Sequence, residues 1–269
     1  MSLRTVYLGM ALSCLIGTVA LVAHAQDATQ TQGAADQAVT LAYKFEKGTT
    51  VTMKTVAHVM TPDGQSQVTF ITTAQRAITD IKPDGSVVVT VTPGSATLDL
   101  GSGPQPTPPP PPFSVTFDKQ GRLVLVGQKN EDETTPVAPQ AAALLEASVH
   151  VVLPDHPVKP GDTWQSTFDD PLVKGKQATL KDTYDGMVVY KGQNCWKVEQ
   201  TMEAVTDDMG TMMTVKTTVY MNPKDGSTVY AKSSVKNLPT LNYGPISWDS
   251  ETTLVTDTGN KNAGGSTNP

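Results

Sequence analysis

Between residues 39 and 257 the chain alternates apolar and polar residues with a period of two, and this pattern constrains its fold more than any other feature. Such alternation predicts strands with one face in a core and the other in solvent. Thr and Val, whose branched side chains favour the surface of a sheet, recur throughout the region. The residues expected to share inward faces are Leu41, Tyr43 and Phe45; Val51, Met53, Ala57 and Val59; Val87, Val89 and Val91; Val115 and Phe117; Met213, Val215, Val219 and Met221; and Ile246, Trp248 and Leu254.

Turn sequences separate the predicted strands. Residues 62–64, 82–85, 118–121 and 223–226 each end in glycine, which adopts a positive φ at little cost. Short turns of this kind join neighbouring strands as hairpins, so we expect an antiparallel sheet.

One segment departs from the strand pattern and predicts a short helix at residues 138–149. Pro139 suits the first turn of this helix, and Pro154 lies in a proline-rich stretch that cannot continue it. The residues that recur at helical spacing are Ala141, Leu144, Leu145 and Ser148. The chain is therefore predicted to be mainly β, of the α+β type.

The two halves of the chain are similar in sequence pattern on either side of this helix, at residues 39–130 and 152–257. In the closest local match, residues 115–121 align with residues 219–226 after one insertion. This similarity predicts two similar β-meander modules with the helix between them, forming a curved antiparallel sheet or half-barrel. Chance similarity between turn-rich β segments is the alternative.

The N-terminal residues predict export from the cytoplasm. Residues 1–25 have the order of a secretory signal peptide, with Arg4 at the positive start, then an apolar run, then Ala23-His24-Ala25 before the cleavage point. A retained N-terminal anchor is the alternative, although the apolar run is short for a bilayer span. We expect a protein in the periplasm or outside the cell, without a membrane span after cleavage.

The exported chain is predicted to have one ordered body. Residues 26–38 are polar and predict a flexible lead, and residues 258–269 predict a disordered tail, which leaves a β-rich body at 39–257. Cys195 is the only cysteine after the predicted cleavage point. The fold must therefore be stable without an intramolecular disulfide.

The charge balance argues against nucleic acid as a partner. There are 20 basic and 26 acidic residues, a formal net charge of −6, and the sequence pI is about 5.2. Proteins that bind phosphate backbones carry a basic footprint, and this chain has none.

No motif for catalysis or metal binding is present. The sequence lacks G-x-S-x-G, H-E-x-x-H, paired C-x-x-C and the EF-hand pattern. We expect no enzyme activity, no metal and no cofactor. The alternative is a hydrolase assembled from dispersed residues, which requires His58 or His150 beside a carboxylate.

Methionines and aromatic residues supply the candidates for a ligand pocket. Met202, Met209, Met212, Met213 and Met221 crowd one region, where thioethers can fill a core, form an adaptable apolar pocket, or bind Cu(I). Trp164 and Trp196 follow turns and can anchor a core or line a pocket. The predicted pocket residues are Met53, Phe70, Trp164, Trp196, Met213 and Met221.

A proline-rich stretch at residues 101–112 is predicted to be polyproline II or irregular. It is either a stiff spacer between two strands or a ligand for an aromatic groove.

The segments LPDHPVKPGDTW at 153–164 and LAYKFEKG at 41–48 resemble uncharacterised bacterial exported proteins in which a proline-rich stretch leads into a K-x-G-D-T-W strand. The resemblance implies a strongly bent antiparallel sheet near a helix, similar in outline to the envelope carriers of lipoproteins and lipids. It transfers no functional residue.

Together these features predict an exported, non-enzymatic protein that binds or carries an apolar ligand, such as a lipid, in a cavity of the curved sheet. The alternative is a structural or adhesive module of the cell envelope, with a filled core and an envelope protein as its partner.

Overall fold

The computed structural model describes residues 37–60, 67–109, 111–127, 137–207, 209–238 and 245–255. The predicted signal peptide, most of the predicted flexible lead and the predicted tail lie outside these ranges. The elements in chain order are β1 (Thr50–Met60), β2 (Gln67–Ile81), β3 (Val87–Asp99), β4 (Pro104–Thr107), β5 (Phe113–Phe117), β6 (Leu123–Gly127), α1 (Val137–Ala147), β7 (Thr163–Asp169), β8 (Gln177–Tyr190), β9 (Gln193–Val205), β10 (Met212–Met221), β11 (Thr228–Leu238) and β12 (Ile246–Val255).

All the strands belong to one antiparallel sheet. Its order is β6-β5-β3-β2-β1-β12-β11-β10-β9-β8-β7, and β4 pairs with β3. Each half of the chain is a meander, and the first and last strands join the halves through pairs that run from Thr52 with Val255 to Met60 with Ser247. The edge strands β6 and β7 lie beside each other, so the sheet forms a nearly closed barrel. The predicted fold class is confirmed, whereas the duplication of the two halves stays a prediction.

The period-two pattern sets which side chains face the inside of the barrel. In β10, Met213, Val215, Val219 and Met221 are buried, as predicted from their alternation. The same holds for Val87, Val89 and Val91 in β3 and for Ile246 and Trp248 in β12. The main apolar cluster lies against α1, and a smaller one lies towards the other end of the barrel around Val198, Val219 and Met221.

A row of inward-facing polar residues separates the two apolar clusters. Its members lie opposite one another on five successive strands: Asp182, Gln200, Thr217, Ser233 and Ser250. All five are buried. The hydroxyl groups of Thr217 and Ser233 are 3.0 Å apart and satisfy each other.

Helix α1 packs inside the curved sheet through small residues. Ala142, Ala143, Leu144 and Ala147 are buried in the main cluster, and the alanines let the helix approach the strands closely. The predicted helix at 138–149 agrees with α1 to within two residues at each end.

The chain leaves α1 as an irregular segment, and side chains of neighbouring elements satisfy its carbonyl groups. Buried carbonyls outside regular structure need such donors. The donors to the carbonyl oxygens of residues 149, 150, 151 and 152 are, in order, Thr228 Oγ1, Gln200 Nε2, Tyr43 Oη and Trp164 Nε1.

Two local expectations are wrong. Residues 41–45 keep the alternating burial but form no strand, because this segment crosses the end of the barrel and only Val39 makes a bridge, with Val158. Within the proline-rich stretch, residues 104–107 form the short strand β4. Prolines are tolerated there because β4 pairs only with β3 and needs few amide donors.

Candidate functional site

A cavity of about 80 Å³ lies between α1 and the inner face of the sheet. One part of its wall is apolar and includes Val91, Phe113, Leu145, Val235 and Trp248. The polar part includes Thr55, Thr72, Arg76, Glu146, Ser233, Ser250 and Thr252. This volume has room for several water molecules. A cavity with apolar walls and a few polar groups is the usual form of a small-molecule site.

An ion pair between β2 and α1 forms one wall of the cavity. Arg76 Nη2 donates to Glu146 Oε2 at 2.8 Å, and Arg76 Nε lies 2.5 Å from Glu146 Oε1. The two side chains are only 16% and 6% exposed. A buried pair of this kind is electrically neutral overall and fixes the helix against the sheet.

His150 lies beside this ion pair. Its Nδ1 is 3.8 Å from Glu146 Oε1, and its ring stacks on Phe117 with centroids 4.3 Å apart. Burial lowers the pKa of His150, and Arg76 lowers it further, while Glu146 raises it. A position at the C-terminal end of a helix favours the protonated imidazolium form. Burial outweighs this effect and favours the neutral imidazole.

The side chains of His150 and Glu146 lie close together but form no hydrogen bond. The 3.8 Å separation from Glu146 meets the sequence-based requirement for a carboxylate nearby, but His150 Nδ1 has no hydrogen-bond partner among the described residues. A base is oriented by a hydrogen bond of about 2.6–3.2 Å. His58 Nδ1 instead lies 3.3 Å from Thr69 Oγ1, and His156 contacts Asp155 at the surface.

Trp248 contributes an unmatched polar group to the wall. The residue is 3% exposed, and its Nε1–H has no acceptor among the described residues. Its cross-strand neighbours are Val59 and Val235, neither of which has a polar side chain. The hydroxyls of Thr252 and Thr55, also in the wall, bond to each other at 2.7 Å.

A β-bulge forms part of the cavity rim. The pairing of β2 with β3 shifts between Thr72 and Ala74, and Thr73 Oγ1 accepts a hydrogen bond from the Ser95 amide at 3.1 Å. Pro93, which lacks an amide donor, lies between the stretches of β3 that pair with β5 and with β4. The rim is half-buried rather than sealed.

The six predicted pocket residues do not come together. Phe70 and Met213 lie in the main cluster, and Trp196 and Met221 lie in the smaller cluster, with Trp164 packed against it. Met53 is buried outside both clusters. None of the six lines the cavity beneath α1. Whether any of them contacts a ligand stays a prediction.

Sequence reasoning missed Arg76 and Glu146, although each carried a signal. Arg76 stands opposite Val51 and Val91, so it is a charged residue at an inward-facing position of β2. Glu146 is the only charged residue of α1. Two opposite charges within otherwise apolar surroundings point to a buried pair.

A second buried ionisable group lies in the polar row. Asp182 is fully buried, and neither of its carboxylate oxygens has a partner among the described residues. Burial raises the pKa of Asp182 to about 8. Burial also raises the pKa of the Tyr43 hydroxyl, and the nearby Asp182 raises it further. Asp182 is therefore mostly protonated at neutral pH.

The described residues offer no cluster suited to a metal ion, and no helix among them is long and apolar enough to cross a membrane. Of the crowded methionines, Met202, Met213 and Met221 are buried, whereas Met209 and Met212 are exposed.

No protein-family model matches the sequence, and no curated protein matches it. The solved structures that match the chain include lipovitellin and two bacterial proteins. The chain is 8% identical to lipovitellin, whose structure is described for its lipid–protein interactions, with a TM-score of 0.47 over 79% of this chain. It spans only 25% of the lipovitellin chain.

The other two are bacterial proteins. One, from Bacteroides fragilis, is proposed to be exported and has a YmcC-like fold; it is 12% identical, with a TM-score of 0.32 over 80% of this chain and 98% of its own. The hypothetical lipoprotein YmcC from Escherichia coli is 13% identical, with a TM-score of 0.27 over 77% and 85%. These descriptions agree in outline with the predicted resemblance to exported proteins. At such TM-scores the likenesses carry no argument about function.

Proposed function

We propose that this protein is an exported, non-enzymatic binding protein that holds an apolar ligand, such as part of a lipid, in the cavity beneath α1. The observation that carries the proposal is the cavity itself, because its walls combine Phe113, Leu145 and Trp248 with a small number of polar groups.

The volume limits what this site holds. Pockets for drug-sized ligands usually measure about 300–1,000 Å³, whereas this cavity measures about 80 Å³. The proposed occupant is therefore one end of a longer molecule or a small apolar compound. The rim around Pro93 and Leu145 is only half-buried, so the rest of such a molecule can extend past it to solvent.

Displacement of a fluorescent fatty-acid methyl ester by host lipid extract tests the proposal. We expect saturable binding, and we expect Leu145→Trp to weaken it at least tenfold because the larger ring fills the cavity. Leu98→Trp is the matched control, since Leu98 is also half-buried against the main cluster but does not line the cavity. Equal loss in both variants, or no binding at high micromolar probe, contradicts the proposal.

The small cavity volume favours a second candidate, a structural or adhesive module with a filled interior. The native and denatured masses of protein purified gently from its envelope separate the two candidates. A reproducible extra mass that organic solvent extracts supports the binding protein. Equal masses, together with no probe binding, support the structural module.

A further inference from the structure

We infer that the ligand in the cavity beneath α1 carries a neutral carbonyl oxygen of the ester type, and that this oxygen accepts a hydrogen bond from Nε1–H of Trp248. The inference rests on the proposed function and names the polar group of its ligand.

Trp248 supplies a donor without an acceptor. Its indole N–H is buried, lies in a residue of the cavity wall, and has no partner among the described residues. Most buried polar groups are hydrogen-bonded, because leaving one unmet destabilises the fold. A ligand that brings an acceptor to this N–H removes that cost.

Several other polar groups of the wall bond to protein partners. Arg76 pairs with Glu146, and Thr252 donates to Thr55. Ser233 shares a hydrogen bond with Thr217. Among the buried polar side-chain atoms of the wall, two donors lack a hydrogen-bond partner in the described part of the chain, Arg76 Nε and Trp248 Nε1. Arg76 Nε faces Glu146 Oε1 within the ion pair, so the Trp248 N–H is the donor left for a ligand that carries an acceptor on an otherwise apolar skeleton.

The charges around the cavity favour a neutral ligand. Arg76 is neutralised by Glu146, and the adjacent His150 is buried with a lowered pKa. A ligand carboxylate would bring a second negative charge close to Glu146 in a site with little solvent. A neutral carbonyl meets no such repulsion, so the site favours an ester over the anion of a free fatty acid.

Three compounds of six carbons test this directly: methyl pentanoate, hexanoate and hexane. At neutral pH we expect the ester to bind about tenfold more tightly than hexane, because a buried hydrogen bond has roughly that effect. Hexanoate is expected to bind more weakly than the ester. In Trp248→Phe, which keeps an aromatic ring and loses the N–H, the ester and hexane should bind alike.

The matched control is Tyr220→Phe, which removes one aromatic hydroxyl on the outer face of the sheet and should change no affinity. If Trp248→Phe fails to fold, the NMR resonance of the Trp248 indole Nε1–H in the wild-type protein tests the inference instead. It should shift downfield with the ester and not with hexane.

The outcomes separate the inference from the proposed function. Equal affinities of wild-type protein for ester and hexane, or an ester preference retained in Trp248→Phe, overturn the inference and leave ligand binding intact. Hexanoate binding as tight as the ester overturns the preference for a neutral carbonyl. No binding of any of the three compounds, nor of the fluorescent ester, overturns both.

Discussion

Asp182 on β8 lies directly opposite Gln200 on β9, and the described residues supply no hydrogen-bond partner for either carboxylate oxygen of Asp182 or for Gln200 Oε1. Gln200 Nε2 donates to the carbonyl of His150, so the amide group of Gln200 already has its partner. A protonated Asp182 gains an O–H that can donate, and Gln200 Oε1 on the opposite residue is an acceptor without a partner among the described residues. The raised pKa of Asp182, about 8, has burial as its cause and agrees with this arrangement.

Protonation of Asp182 makes stability depend on pH. The pKa is about 8 in the folded protein, against an ordinary value of 3.8 for an exposed Asp, so the folded state binds the extra proton between these limits. The free energy of unfolding therefore falls as the pH rises, by at most about 1.4 kcal/mol per pH unit. His150 acts in the opposite direction below the ordinary histidine pKa of 6.5, so the clearest window is pH 7 to 8.

Urea titrations at pH 7 and pH 8 measure this effect. We expect Asp182→Asn to remove the difference, because the amide has a similar shape and no proton that titrates. Asp185→Asn is the control, since Asp185 bonds to Lys197 at 2.8 Å and should leave the dependence in place. A wild-type stability that is flat between these two pH values would falsify the assignment.

Because Arg76 and Glu146 form a buried ion pair, we expect substitutions of the two residues to have strongly non-additive effects on the free energy of unfolding. Arg76→Met leaves the Glu146 carboxylate buried without its partner and is expected to lower the free energy of unfolding by about 3 kcal/mol. The double variant Arg76→Met with Glu146→Leu should recover most of this loss, because it removes both charges. Lys47→Met breaks an exposed pair with Asp80 and should have little effect. Additive losses in the double variant would show that the pair is not coupled.

Tyr43 is enclosed by two turns, and this predicts which glycines cannot be replaced. A Cβ on Gly121 would lie 2.6 Å from Tyr43 Cε2, and one on Gly226 would lie 2.8 Å from Tyr43 Cδ1. Both glycines have a positive φ, as does Gly48, whose missing Cβ faces open space. We expect Gly121→Ala and Gly226→Ala to cost about 3 kcal/mol each, and Gly48→Ala about 1 kcal/mol. Thermal and urea unfolding measure these costs, and equal losses at all three positions would contradict the role of Tyr43.

These same residues show how far the sequence alone predicts the structure. The turns at Gly121 and Gly226 follow from local chemistry, and the inward faces of the strands follow from their period of two. The packing of both turns on Tyr43 does not, because it joins residues more than 70 positions apart in the chain. Local patterns carry no information about which end of a barrel a segment crosses.

The candidate site is harder to predict than the fold for a related reason. Met213 and Met221 are flexible and apolar, which makes them pocket candidates in the sequence, but the same properties place them in filled core. The cavity arises instead where α1 meets the sheet, at Arg76, Glu146 and Trp248. Its position depends on the crossing of a helix over strands that are distant in sequence.

Cys195 is a buried thiol on the outer face of the sheet, next to an aromatic cluster. It alternates with the inward-facing Trp196 and Val198, and it acts electrostatically on Tyr190 and Tyr220. The rings of those two tyrosines lie 4.8 Å apart.

Burial raises the pKa of the Cys195 thiol, so both access and thiolate fraction are low in the folded protein. We expect alkylation of Cys195 by iodoacetamide to be at least tenfold slower in the native protein than in urea, as followed by peptide mass spectrometry. Tyr220→Ala should accelerate it by opening the aromatic cover, whereas Tyr220→Phe keeps the ring and should not. Equal alkylation rates in the alanine and phenylalanine variants would mean that the strands themselves, rather than the tyrosines, protect the thiol.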